Sequence, residues 1–174
     1  PAGHAVAHCQ IAINEPRDAG GPAMPPARVD VEDIGLAILV STARGEIIID
    51  RGMGTIASWS VNGQELIAAG PQLDLFRAPT DNDKYMLEAW ANARLDHLDT
   101  HVRSCEIVSQ DDARVVIEVR SVLASPALRP ACEVTTRFGI EGSGDVSIET
   151  RAIPGEWLTA LETLHALGLV HGDV

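Results

Sequence analysis

Aromatic side chains are scarce in this sequence: three Trp, two Phe and one Tyr make up 3% of 174 residues. Modules that bind sugars on their own present exposed Trp and Tyr as stacking platforms. Only Trp59, Tyr85, Trp90 and Trp157 could serve that purpose here, and the composition weighs against that class. Positive charge is also short. Thirteen Lys and Arg stand against 25 Asp and Glu, for a formal net charge of −12. Nucleic acids and anionic membrane surfaces attract basic patches, so neither is a partner suggested by this chain. Cys9, Cys105 and Cys132 are odd in number, far apart and without a CxxC pair. That pattern argues against a disulfide framework, and buried reduced thiols are the expectation. No run of about eighteen apolar residues is present to span a bilayer. No signal peptide is visible, but the sequence opens at Pro1 rather than Met and reads as a piece of a longer protein, so that gap carries no information about targeting.

What the chain does have is enough hydrophobic residue, 45%, to build a core. Its length suits one sizeable domain, or a domain with a linker and part of a neighbour. Residues 4–13 read as a strand. Residues 14–28 are crowded with Pro16, Gly20, Gly21, Pro22, Pro25 and Pro26, which leave no room for regular structure. The boundary therefore falls between 1–28, the end of one β domain plus linker, and 29–174. Beyond it, residues 37–42 and 46–50 flank Ala43-Arg44-Gly45. Residues 55–61 alternate, with Ala57, Trp59 and Val61 predicted on one face, and Asn62-Gly63 then marks a type I′ hairpin turn, which needs positive φ twice. Residues 102–109 and 114–123 flank Asp111-Asp112, with Val115, Ile117 and Val119 on one face and Glu118 and Arg120 on the other. Residues 131–140 and 145–153 flank a Gly-Ser-Gly turn, with inner faces Val134, Thr136, Phe138, Ile140 and Val146, Ile148, Thr150, Ala152. Hairpins with this alternation describe an all-β fold, an antiparallel β-sandwich with one wet face and one short helix. The tail conflicts with itself. Trp157, Leu158, Leu161, Leu164 and Leu167 are spaced like a helix face, and a short helical or irregular piece followed by a strand near residues 167–170 is expected.

The most specific string is Arg77-Ala-Pro-Thr-Asp-Asn-Asp83. Pro79 fixes its own φ and pushes Ala78 toward extended geometry, so the chain turns here. Thr80, Asp81, Asn82 and Asp83 are residue types that cap helix N-termini. The spacing of Leu87, Trp90, Ala91, Leu95 and Leu98 predicts a helix that starts near Lys84. Capping is one reading; an oxygen-rich cluster for a cation or a sugar hydroxyl is the other. Asp81 and Asp83 could also form the carboxyl pair that glycoside hydrolysis needs, about 5 Å apart when retaining, but capping explains them better. His4/His8 and His97/His101 share i,i+4 spacing, which ligates zinc only on a helix and needs a third ligand that neither pair has. No nucleophile elbow, phosphate loop or dinucleotide fingerprint is present.

Residues 75–83, Leu-Phe-Arg-Ala-Pro-Thr-Asp-Asn-Asp, resemble the "(L/W)RAPTDND" signature of the C-terminal region of large bacterial β-galactosidases, glycoside hydrolase family two. Residues 2–10, Ala-Gly-His-Ala-Val-Ala-His-Cys-Gln, look like that family's "aGHevAwxQ" segment. His8 departs from its usual Trp, and Lys84-Tyr85 replaces a common Gly. The resemblance implies the end of an immunoglobulin-like domain followed by the first part of a mutarotase-like "supersandwich". It implies a parent that hydrolyses terminal β-D-galactosides, as in lactose, with catalytic glutamates in an upstream TIM barrel, so no catalytic residue is carried onto this chain. It places Asn62, Gly63, Gln64 and Glu65, then residues 66–71, at the position of a loop that closes over the barrel. Arg77, Pro79, Thr80, Asp81, Asn82 and Asp83 become a structural signature. No cofactor is expected in this segment, the family's Mg and Na lying outside it. The remaining parent domains are the implied partners, with a galactoside as substrate. A homo-oligomer and a bacterial cytoplasmic setting are compatible with this. Two rivals stand beside it: a free-standing carbohydrate-binding module, and a mutarotase-like sandwich enzyme, for which His97, His101 and Glu118 would be the candidates.

Overall fold

The computed structural model describes residues 27–126 and 129–155. The strand expected over residues 4–13, most of the Pro/Gly-rich stretch, Cys9, the His4/His8 pair and the tail from residue 156 lie outside the described residues.

Nine strands form two antiparallel sheets among the described residues. The first is a meander of β1 (Asp30–Asp33), β2 (Ala37–Ser41), β3 (Gly45–Asp50), β4 (Thr55–Val61) and β5 (Gln64–Glu65). The second runs in order through β6 (Asp99–Gln110), β7 (Arg114–Ala124), β8 (Cys132–Glu141) and β9 (Val146–Pro154). All four expected hairpins form, and β1 adds a strand on β2. The Asn62-Gly63 turn has φ of 52° and 77°, the two positive values that its type requires.

Alternation in β2, β3, β7 and β8 aims their apolar residues inward. Ile38, Val40, Ile47, Ile49 and Ile56 of the first sheet pack in one core with Val115, Ile117, Val119, Phe138 and Ile140 of the second. Each such side chain contributes about 1.5–3 kcal/mol on burial, which is why the pattern of period two decides the layering. The face expected on β4 needs correction. Ile56 is buried while Ala57 is exposed. The register steps from Ile48↔Ser58 to Ile49↔Ile56 and leaves Ala57 unpaired. This bulge puts Ile56 and Trp59 on the same face although their spacing is odd. Trp59 is half-buried against the core rather than enclosed by it.

Between the sheets, α1 (Leu87–Asn92) and two short 3₁₀ turns, Asp81–Asp83 and Leu95–His97, close one end of the sandwich. Trp90, Ala93 and Leu95, with Leu75, pack on Leu123, Ala131, Cys132 and Val134 as a second core. The single helical face expected over 87–98 is broken. Leu87 and Ala91, within α1, are exposed, and Arg94 takes a left-handed conformation (φ 50°) after the helix that re-aims Leu95, which is buried. The helix also starts at Leu87, after Met86, and not at Lys84. The inner face of the second sheet is thus shared, the first sheet covering its Val115–Val119 half and the helical segment its Leu123 end. The inner residues expected on β9 are not covered: Ile148, Thr150 and Ala152 are exposed. No helix among the described residues is long and apolar enough to cross a membrane.

Candidate functional site

The string 77–83 folds into a hydrogen-bonded knot. Asp83, whose side chain is 9% exposed, receives both Nη1 (2.7 Å) and Nη2 (2.8 Å) of Arg77. The same carboxylate accepts the Thr80 N–H (2.6 Å) and the Thr80 hydroxyl (2.8 Å). Paired N–H donors from a planar guanidinium fix orientation as well as charge. The back-reach from Asp83 to Thr80 N–H is the carboxylate half of a capping box, closed on a 3₁₀ turn. Capping thus occurs one turn before α1, whose own N-cap, Met86, makes no side-chain bond. The Arg77 guanidinium beside Asp83, with the two Thr80 donors, holds its carboxyl well below the usual carboxylate range. Arg77 also lies over the Trp90 ring, 5.7 Å from its centroid, and Phe76 meets that ring edge-on at 6.3 Å. One side of the knot is therefore anchored in the second core. Asp81, Asn82 and Pro79 are exposed.

Asn62, Gly63, Gln64 and Glu65 are elsewhere. The Asn62 N–H donates to Arg44 O (2.9 Å), and the Arg44 side chain lies against Gly144, so three hairpin tips share one end of the sandwich. That end carries the Val115↔Ile140 pair, whereas the knot's core partners include Leu123 and Cys132. Eight residues of β7 separate the two ends, about 26 Å at the rise of a strand. The structure does not bring the two candidate stretches together. Glu65 itself is engaged locally, accepting from Ser58 Oγ (2.5 Å) and the Trp59 N–H (2.7 Å). The Ser58 hydroxyl, followed by the Trp59 amide, lowers its carboxyl below the ordinary value. These bonds close the β4–β5 hairpin where strand pairing is only two residues long.

The outer face of the second sheet holds a cluster that strand alternation placed but did not explain. Glu118 receives Arg120 Nε (2.9 Å) on one oxygen and Arg137 Nε (2.9 Å) on the other. Both arginines roof it, so a residue on the wet face is nearly enclosed, and its carboxyl is held below the ordinary range by Arg137 and then Arg120. Cross-strand partners explain this, since Glu118 faces Arg137, which faces Glu149. Only the pairing register, not the spacing in one strand, reveals such a cluster. His101 pairs with Val122, four positions along β7 from Glu118, about 13 Å away. His97 sits in a 3₁₀ turn against Asp96. These three do not form an acid–base site. Cys105 and Cys132 are buried and unpaired, and burial pushes both thiols up. Among the described residues no group of three or more His, Cys, Asp or Glu is placed to hold a metal ion.

Comparison with known proteins covers the knot and both sheets. Residues 41–171 match the family model described as "Beta galactosidase small chain". A "Beta-galactosidase" of Vibrio vulnificus (strain CMCP6) is 30% identical over 168 residues, 87% of this chain and 14% of that protein. One of Actinobacillus pleuropneumoniae is 28% identical over 125 residues, 71% of this chain and 12% of its own length. One of Psychromonas ingrahamii is 34% identical over 91 residues, 46% of this chain and 9% of its own. The chain thus spans about one seventh or less of these relatives. With the family match running through most of its length and a sandwich built as that resemblance implied, the chain belongs to the beta galactosidase small chain family.

Proposed function

We propose that this chain is a non-catalytic β-sandwich portion of a larger β-galactosidase, which hydrolyses terminal β-D-galactosides, and that it shapes a wall of the active site and supports assembly of the parent. The observation that carries the reading is the Arg77–Asp83 knot. It holds an exposed turn rigidly at one end of the sandwich, by four hydrogen bonds to one carboxylate and by the Trp90 ring beneath. A rigid projecting turn suits a surface that must register against another domain. The same carboxylate is spent on its own chain, which leaves Asp83 no free oxygen geometry for a general acid or a nucleophile. In this reading the reacting carboxylates, and the magnesium and sodium of the parent family, belong to other parts of the parent. The substrate is met there too.

The test uses the parent-length protein with Asp83→Ala and Asp81→Ala, reading melting and galactoside kinetics together. A structural Asp83 predicts a lowered melting temperature with KM kept for the remaining folded enzyme, and little effect from Asp81→Ala on either. Unchanged melting with a collapsed affinity in either variant would make these carboxylates ligands and would end the structural reading.

A further inference from the structure

The outer face of the second sheet carries an open groove of about 380 Å³ around the Glu118 cluster. Strand register sets its floor in two rows. Glu118, Arg137 and Glu149 stand side by side across β7, β8 and β9, and Arg120, Thr135 and Arg151 form the next row. Rows two residues apart are separated by about 7 Å, and the backbones of Arg120 and Arg151 lie about 10 Å apart with Thr135 between them. Glu133 closes the groove beyond that row. The Glu118 side chain is only 7% exposed and takes the Nε of both Arg120 and Arg137, so one carboxylate fixes two guanidinium groups. Its single charge is shared between two cations, and the Nη groups of Arg120 keep no partner among the described residues.

We propose that this groove binds a small hydroxylated carboxylate of the sugar-acid class, its carboxylate held between Arg120 and Arg151 and its hydroxyls donating to Glu133 and Glu149. The first argument is what the side chains leave undone. Opposite charges on neighbouring strands ordinarily pair. Glu149 stands directly opposite Arg137, but Arg137 turns its Nε and Nη2 to Glu118. Glu133, Glu149 and Arg151 make no side-chain hydrogen bond or ion pair among the described residues. The second argument is chemical. A planar guanidinium fork matches a carboxylate. An ionised glutamate only accepts, so its complement is a hydroxyl or another donor. A bare anion would meet Glu133 and Glu149 as repulsion, and a neutral sugar would leave Arg120 and Arg151 unused. A ligand that carries both groups satisfies both sets. The third argument is size, since about 380 Å³ lies at the small end of ligand sites, which run roughly 300–1,000 Å³. That room suits one sugar ring or its open-chain acid.

The site does not depend on the parent's activity and is tested on the full chain by calorimetric titration at constant ionic strength. The probes are galacturonate and gluconate, with acetate supplying the carboxylate alone and galactose the hydroxyls alone. At least one of the two acids is expected to bind tenfold or more tightly than both acetate and galactose. Arg151→Met breaks no side-chain contact among the described residues, so circular dichroism and melting should be unchanged. It should weaken that acid about tenfold or more, the usual loss for a hydrogen bond to a charged group. Glu149→Ala should weaken the acid and not acetate. Arg28→Met, which removes an exposed arginine paired to Asp112 outside the groove, should leave binding as it was. Acids that bind no better than acetate or galactose overturn the proposal. So does undiminished binding in Arg151→Met, or an equal loss in Arg28→Met, which would mean a diffuse effect of charge.

Discussion

Trp90→Ala is the perturbation that asks whether the helical segment is part of the folded unit. Trp90 is 3% exposed and sits with Leu75, Leu95, Leu123 and Val134 in the second core, beneath Arg77 and edge-on to Phe76. Deleting a fully buried Trp leaves a cavity and costs about 3–5 kcal/mol. The edge-to-face contact with Phe76 adds about 0.5–1.5 kcal/mol beyond area, which places the expectation in the upper half of that range. Trp59 gives the internal comparison. It is only half-buried, so Trp59→Ala should cost about half as much, roughly 1.5–2.5 kcal/mol by the same scale. Trp90→Phe separates volume from polarity. The indole Nε1 is buried without a hydrogen-bond partner among the described residues, so Phe also removes an unsatisfied donor. Relief of that penalty, about 1–3 kcal/mol, offsets the lost volume and leaves Trp90→Phe within about 1 kcal/mol of the wild type. Urea unfolding followed by circular dichroism measures all three. A loss below roughly 1 kcal/mol for Trp90→Ala would be surface behaviour and would refute the docking of residues 75–98 on the second sheet.

Two further predictions follow from local geometry. Because the folded Asp83 carboxyl titrates far below its unfolded value near 3.9, its contribution is present above that value and is lost as pH falls toward the folded one. The melting difference between wild type and Asp83→Asn should therefore be full at pH 7 and shrink steadily below about pH 4; a difference independent of pH would contradict the ion pair. Gly54 has φ +65°, and a Cβ there would lie 2.7 Å from Val119 Cγ1 and 2.8 Å from Val102 Cγ2, whereas Gly63, at φ +77°, would meet nothing within 4 Å. Gly54→Ala should cost about 2–4 kcal/mol from strain plus overpacking, and Gly63→Ala only about 1–2, so equal losses would mean that the Gly54 turn does not pack on the second sheet.

The sandwich was legible because its signals are local. Asn62-Gly63 needs positive φ at both positions, and the alternation of Val115, Ile117 and Val119 leaves one choice of face. What stayed hidden depends on partners distant in sequence. The bulge at Ala57 comes from the register of β3 on β4, and it shifted the phase of Ile56 and Ala57 while Trp59 kept the core-facing side read for it. Arg94 ended the helix by one backbone angle that no apolar spacing encodes. For the site, the types Thr80 and Asp83 announced a cap, but not that Asp83 would serve Arg77 and Thr80 at once, nor that the cap would close a 3₁₀ turn ahead of α1. Alternation put Glu118 and Arg120 on one face, but the enclosure of Glu118 also needs Arg137 of the next strand, which only pairing sets. The distance between Asn62–Glu65 and the knot follows from strand direction, which no motif reports.

The central claim is that this sandwich serves a larger glycosidase and carries no hydrolytic chemistry itself. Hydrolysis of a chromogenic β-galactoside tests it most directly, assayed on the isolated chain and on the Vibrio vulnificus relative with the matching 168-residue segment replaced by this one. The account predicts the buffer rate for the isolated chain and turnover for the chimera. Turnover by the isolated chain that survives repurification and disappears when one of its own acidic residues is mutated would contradict it.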